Sequence, residues 1–317
     1  MLRYLLSRVL TMLLVLFVIS IALFGLSHAA PGGPLAMLIP PDQLGDSQAL
    51  IEAKTKEYGL DKPLVVQYLN WIGRMLTGDM GQSFQFDRPV GTLLLERIPP
   101  TMELMLLGFV LGNLLAILLG MGQAARKGTL VDYGFGAATL LVLSTPAFFI
   151  GMLLIYFFSA KLQWLPSSQM SNAGDGSVPD LLRHLVLPVV TLAMLGCASM
   201  ARYVRAGMLE ELQRDYVRTA IAKGASQAQA RWKAFRNALG PLVTIMMMSA
   251  PALLSGAVVL EAVFAWPGMG TLTIRAIQNR DYPVILGFGM VVAIVVVVSN
   301  LLADIFLSLL DPRVVLR

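Results

Sequence analysis

Apolar runs of about twenty residues recur along this chain and constrain its fold more than any other feature. A helix of that length crosses the hydrocarbon core of a bilayer. Such runs fall at 9–28, 102–124, 134–160, 185–207, 240–264 and 284–310. The reading is an all-α integral membrane protein of six transmembrane helices, forming one membrane-spanning domain over residues 1–317. Composition agrees: 56% of the residues are hydrophobic and only 14% charged, against about 25% charged in soluble domains.

The first run follows Arg3 and Arg8, as in a secretory signal, but it exceeds the apolar core of about 7 to 15 residues that such signals carry. Pro31 also sits badly after a cleavage point at Ala30, so an uncleaved helix is expected. A polar region then fills 30–100. PGGP at Pro31 to Pro34 stops the helix. A short helix is expected from Ser47, as N-cap, to about Tyr58, with Gly59 closing it. A second should cover Val65 to Leu76, where Val66, Leu69, Ile72 and Leu76 recur at helical spacing. The region is too long for a connector and too short to promise a domain of its own. It should lie on the outer membrane face against the helix ends.

Within the spans, Gly108, Gly112, Ala116 and Gly120 line one face of the second. Small residues every fourth position let another backbone approach closely; a pore-lining stripe is the alternative. Pro146 should kink the third span, with Ser144 and Thr145 hydroxyls satisfying freed carbonyls. Residues 161–184 read as a loop rich in Gly, Ser and Pro. After WPGMG at Trp266 to Gly270, a short helical piece is expected over Thr271 to Asn279.

Six spans put both termini on one side. Fourteen of the 24 Lys and Arg residues fall on that side and ten on the other. Most of the ten lie in the long 30–100 loop, where the positive-inside rule counts less. Both termini and residues 208–239 are therefore expected in the cytoplasm. The net charge of +5 follows this topology and forms no single basic face, so no nucleic-acid partner is indicated.

Reactive constellations are missing from the sequence. Cys197, the single cysteine, sits in an apolar run and reads as a packing residue. His28 and His184 make no HExxH motif, and Lys127-Gly128-Thr129 has the wrong order for a phosphate-binding loop. No hydrolase, metal or intrinsic ATP site is expected. Glu103, Glu261, Asp304 and, marginally, His28 lie in or beside apolar runs, where an ionisable group is a functional candidate. Glu103 and Glu261 fall near outer ends that water reaches, and Asp304 follows Asn300 by one turn, so structural roles compete. An ion- or proton-coupled carrier would place such groups near the midplane, usually with an internal repeat. Neither feature is present, and this carrier stands as the alternative.

One sizeable stretch is polar, basic and helix-prone: DYVRTAIAKGASQAQARWKAFRNALGP, Asp215 to Pro241. Gly224 should turn the chain between two helices, with Ser226 capping the second. Val217, Ala220 and Ile221 form an apolar patch beside Asp215, Arg218 and Lys223. Trp232, Phe235 and Leu239 should face the membrane or bundle, leaving Arg231, Lys233 and Arg236 polar. Such a hairpin fits a helix-in-groove contact or a basic surface resting on anionic lipid.

This stretch resembles the EAA loop of ABC-importer permeases, in the version of the dipeptide/oligopeptide/nickel permease family. The matching positions are Asp215, Tyr216, Val217, Arg218, Thr219, Ala220, Ala222, Lys223 and Gly224, then Arg236, Asn237, Ala238 and Pro241. RYLLSR, HAAPGGP, YGLDKPLVVQYLNW, GDMGQS and FAWPGMG…AIQNRDYPVILG…LLADIFLSLLDPR extend the likeness over nearly the whole chain. Gly33 stands where the family often has an acid, and Gly240 where a larger apolar residue is common.

The resemblance implies a type I importer permease of the bacterial inner membrane that carries short peptides or related solutes such as nickel chelates or glutathione. It implies no cofactor in this chain, ATP and Mg being bound by one or two cytoplasmic ATPase subunits. A homologous second permease subunit and an extracytoplasmic solute-binding protein complete the system, within membrane lipid. It assigns ATPase coupling to Asp215, Tyr216, Arg218, Thr219, Ala220, Lys223, Gly224, Arg236, Asn237 and Pro241. Gly224 would be the turn, Ala220 a close-packing residue, and Asp215 with Arg218 would fix the hairpin or its partner.

Overall fold

In the computed structural model of the chain, the described residues are 2–29, 52–53, 55–56, 59–172, 176–249 and 252–310. The PGGP stop and most of the helix expected from Ser47 to Tyr58 lie outside them, as does the side chain of Asp304. Among the described residues helix dominates, and the isolated pairing of Gln82 with Pro89 accompanies it. Four segments are long and apolar enough to cross a membrane: Leu6–Ala29, Val90–Ala125, Val178–Leu212 and Tyr282–Leu302. Leu130–Ser144 with Ala147–Lys161 would be a fifth if that bent pair is one span.

The chain divides into two compact units. The first comprises Met1–Pro99, Gly268–Leu301 and Leu316–Arg317. It contains α1 (Leu2–Ala29), α2 (Leu64–Leu76), the first turns of α3 (Val90–Ala125), α10 (Met269–Gln278) and most of α11 (Tyr282–Leu310). Val90, Leu93, Leu94, Met269, Leu272, Ala276 and Val284 form its core. A backbone approach shapes that core: a Cβ at Gly287 would lie 2.7 Å from Val90 Cγ1. Asp281, fully buried, accepts the Ser83 hydroxyl at 2.5 Å and the Gln85 amide at 3.2 Å, tying the 81–89 loop to the turn before α11.

The second unit, Pro100–Pro267 with Leu302–Val315, carries the rest of α3 and then α4 (Leu130–Ser144), α5 (Ala147–Leu154, continued by a π-helical turn, Ile155–Lys161) and α6 (Val178–Leu212). It continues with α7 (Asp215–Ala222), α8 (Gln227–Ser249) and α9 (Ala252–Val263). The small-residue stripe of α3 faces α6. A Cβ at Gly108 would lie 2.6 Å from Leu192 Cβ, one at Gly112 3.1 Å from Ala193 O, and one at Gly120 2.6 Å from Val204 Cβ. These positions are packing contacts, the first of the two readings open to them.

Two departures from expectation have physical causes. The third span breaks rather than kinks, bending by 106°. Proline removes a helical donor and drives the preceding residue out of the α region, so Thr145 (ψ 130°) and Pro146 (ψ 138°) are both extended. The Thr145 hydroxyl donates to Leu141 O at 2.7 Å, satisfying one freed carbonyl. α6 begins inside the expected 161–184 loop because Ser177 caps it, accepting from Asp180 N, with a proline in the first turn.

Glu261 is also placed differently from expectation. It is fully buried rather than water-facing, and it accepts the Thr101 hydroxyl at 2.6 Å. A buried polar group is tolerated where hydrogen bonds replace water.

Candidate functional site: a helical hairpin at residues 208–241

The hairpin is built on the end of α6. Arg214 bridges Glu210 at 3.0 Å and Glu211 at 2.9 Å, and Glu211 accepts the Tyr216 hydroxyl at 2.7 Å. The Asn237 side chain shares that hydroxyl. Burial, then the hydrogen bond to Glu211, hold the Tyr216 phenol above its ordinary pKa, so it stays a donor. These contacts carry the chain out of α6 and through the 213–214 turn into α7, and they tie Tyr216 to α8.

At the far end of α7 the backbone reverses at Gly224, φ +90°, a conformation that costs an L-residue about 1–2 kcal/mol. A Cβ there would meet nothing within 4 Å, so the requirement is conformational and not steric. Ser226 then caps α8 through a reciprocal pair: its hydroxyl accepts from Gln229 N at 3.3 Å, and its amide donates to Gln229 Oε1 at 2.9 Å. This is a capping box with Gln at the third helical position.

α8 is bound to α6 by small residues. Ala230, Ala234, Ala238 and Leu242 recur every fourth residue, all buried, in one cluster with Ala201, Val204 and Met208 of α6. Ala234 is 0% exposed. Gly207 faces Ala238 and Leu242, with its virtual Cβ 3.9 Å from each. α8 also runs unbroken through Gly240 and Pro241. α8 and the apolar segment that follows the hairpin are therefore one rod.

A clasp braces α6 from the other side. Arg205 donates through Nε and Nη2 to the two oxygens of Asp132, each at 2.7 Å, and Gly128 N adds a third donor at 3.0 Å. Bidentate guanidinium pairs fix orientation as well as charge. This clasp holds the α3–α4 turn on α6 and was not visible in the sequence, where its partners lie 73 residues apart.

The expected coupling residues fall into two sets. Tyr216 points into the hairpin, and Ala220 is half-buried. Asp215, Arg218, Thr219, Lys223, Gly224, Arg236, Asn237 and Pro241 are exposed. Asp215 and Arg218 approach only to 3.9 Å with both side chains in solvent, so they do not fix the hairpin; Arg214, Glu211 and Tyr216 do. Val217 is buried inward and leaves the patch, while Ile221 stays 41% exposed. Phe235 packs into the cluster, and Trp232, 61% exposed, lies tilted against it with ring centroids 5.5 Å apart.

These features define a polytopic helical membrane protein with a charged hairpin rigidly seated on a spanning helix. The chain belongs to the family of binding-protein-dependent transport system inner membrane components, whose profile matches residues 112–316. The companion N-terminal profile of such membrane components matches residues 1–105. A Brucella suis biovar 1 chain assigned as a peptide permease is 41% identical over 317 residues, covering 99% of each chain. The oligopeptide transport system permease protein AppB of Bacillus subtilis is 38% identical over 314 residues, 98% of each. In fold, the chain is similar to a subunit of the MetNI methionine ABC transporter in an inward-facing conformation, with TM-score 0.53 and 16% identity over 69% of this chain and 96% of that one. The protein is thus a multi-pass inner-membrane permease component of an ATP-driven importer.

Proposed function

We propose that this permease carries short peptides and that a separate ATPase drives it by engaging the hairpin at 208–239. The observation that carries this reading is the division of the hairpin into an anchored face and a free one. α8 is locked to α6 through Ala230, Ala234 and Ala238, while α7 presents Asp215, Arg218, Thr219, Ile221 and Lys223 to solvent. An apolar residue ringed by charge on a short exposed helix suits insertion into a groove. Force applied to α7 would reach α6 and α8 as a rigid-body displacement.

In this reading ATP and Mg belong to the ATPase subunits, and a homologous second permease subunit completes a pathway with six spans in each. Both termini and the hairpin face the cytoplasm, and an extracytoplasmic binding protein delivers the solute. The ATPase can shift the permease between states only by binding the hairpin differently in each of its own states. The names of the relatives support peptides as cargo.

Reconstitution tests the scheme. Proteoliposomes holding both permease subunits should import peptide only with the ATPase, ATP and a loaded binding protein. Import driven by an ion gradient without the ATPase would replace this reading with the secondary carrier.

A further inference from the structure

The first unit contains an apolar surface that the transport reading does not use. On α2, Val65, Leu69, Ile72 and Leu76 form a stripe at spacings of four, three and four. Val65, Leu69 and Leu76 are exposed and Ile72 is half-buried. Among the described residues nothing covers this stripe. The neighbouring face of α2 is occupied: Tyr68 and Trp71 pack on Phe17 and Phe24 of α1, with ring centroids 5.4 to 6.2 Å apart.

The polar contacts set the level of α2 along α1. Gln67 reaches His28 at 3.1 Å, near the end of α1, while the Tyr68 hydroxyl meets buried Ser20 at 2.7 Å. Ser20 precedes Ala29 by nine residues, about 13 Å of helix at 1.5 Å per residue. Leu6–Ala29 is itself membrane-crossing and almost wholly uncovered. Its exposed Leu10, Leu13, Leu14, Val18 and Ile21 form an apolar surface along a segment long enough to cross a membrane. A helix joined to α1 between Phe17 and His28 lies alongside the outer part of that surface, below the end of the span.

We propose that α2 is an interfacial membrane helix whose Val65–Leu69–Ile72–Leu76 stripe rests in the acyl region of the adjoining leaflet. Amphipathic helices of this kind bury their apolar face about 5–10 Å into the headgroup boundary. Tyr68 and Trp71 are residues favoured at that level. Gln67 is satisfied inside the protein, donating to Leu60 O and Lys62 O, so the lipid-facing side presents no polar group that would resist insertion. Lipid is favoured over a protein occupant because α2 lies beside the exposed apolar side of a helix of membrane-crossing length and its stripe carries no charge that would select a partner.

The test uses the assembled importer in phosphatidylcholine–phosphatidylglycerol vesicles. Leu69→Cys, Leu76→Cys and Asn70→Cys are each labelled with an environment-sensitive fluorophore. Cys197 is buried, and unsubstituted importer carried through labelling supplies the background. Peptide uptake by each labelled variant confirms a folded importer. Lipids bearing a nitroxide high on the acyl chain should quench labels at 69 and 76 several-fold more than at 70, with iodide in the buffer giving the reverse order. Iodide quenching at 69 and 76 equal to that at 70 would overturn the proposal. So would shielding of 69 and 76 from both quenchers, which would put a protein partner on the stripe.

Discussion

The two helices of the hairpin differ in what they bury, and the difference assigns their tasks. α8 buries an alanine row against α6 and extends without a break past Pro241. α7 buries Val217 and part of Tyr216, and leaves its charged residues and Ile221 in solvent. In the proposed scheme one helix transmits and the other receives. Substitutions on α8 should therefore lower stability first, and those on the outer face of α7 should lower transport alone.

The largest effect on stability is expected at the buried row. Ala234→Leu forces methylenes into a site with no exposed area and should cost about 1–3 kcal/mol, read as a lower thermal midpoint of the purified subunit. Gly224→Val comes next: the positive φ should cost about 1–2 kcal/mol, with the membrane-inserted yield kept and peptide uptake lost. Normal uptake by this variant would break the link between the turn and coupling. Ile221→Asp should change stability by no more than about 0.5 kcal/mol, as surface substitutions do. Its uptake should nevertheless fall by about tenfold or more, since burying an isoleucine contributes about 1.5–3 kcal/mol to a contact. Trp232→Ala is the smallest, with stability again within about 0.5 kcal/mol and uptake near wild type. A large uptake loss there would extend the receiving surface onto α8.

Short-range chemistry was legible in the sequence. The Gly224 reversal, the Ser226 cap and the small-residue face of α3 each depend on residues within a few positions, and each stands in the structure. What escaped depends on distance or on competition. Arg205 and Asp132 give no local sign that they meet. Glu210 and Arg214 are four apart, a spacing that signals a helical pair, but their role in turning the chain needs Tyr216 and Glu211 as well. That Ala230, Ala234 and Ala238 make the α6 contact depends on a partner helix absent from the local pattern, small side chains allowing the closer approach. Glu261 looked water-facing from its place near a span end, whereas it is buried with a hydrogen-bond partner, Thr101, 160 residues away.

The central claim is that the outer face of α7 is where the ATPase binds. The most direct measurement puts a photoreactive side chain at Ile221 in the intact importer and identifies the adduct by mass, with the same group at Val217 as the inward control. The account predicts a cross-link from position 221 to the ATPase subunit and none from position 217. Adducts from 221 to lipid alone, with uptake unimpaired, would contradict it.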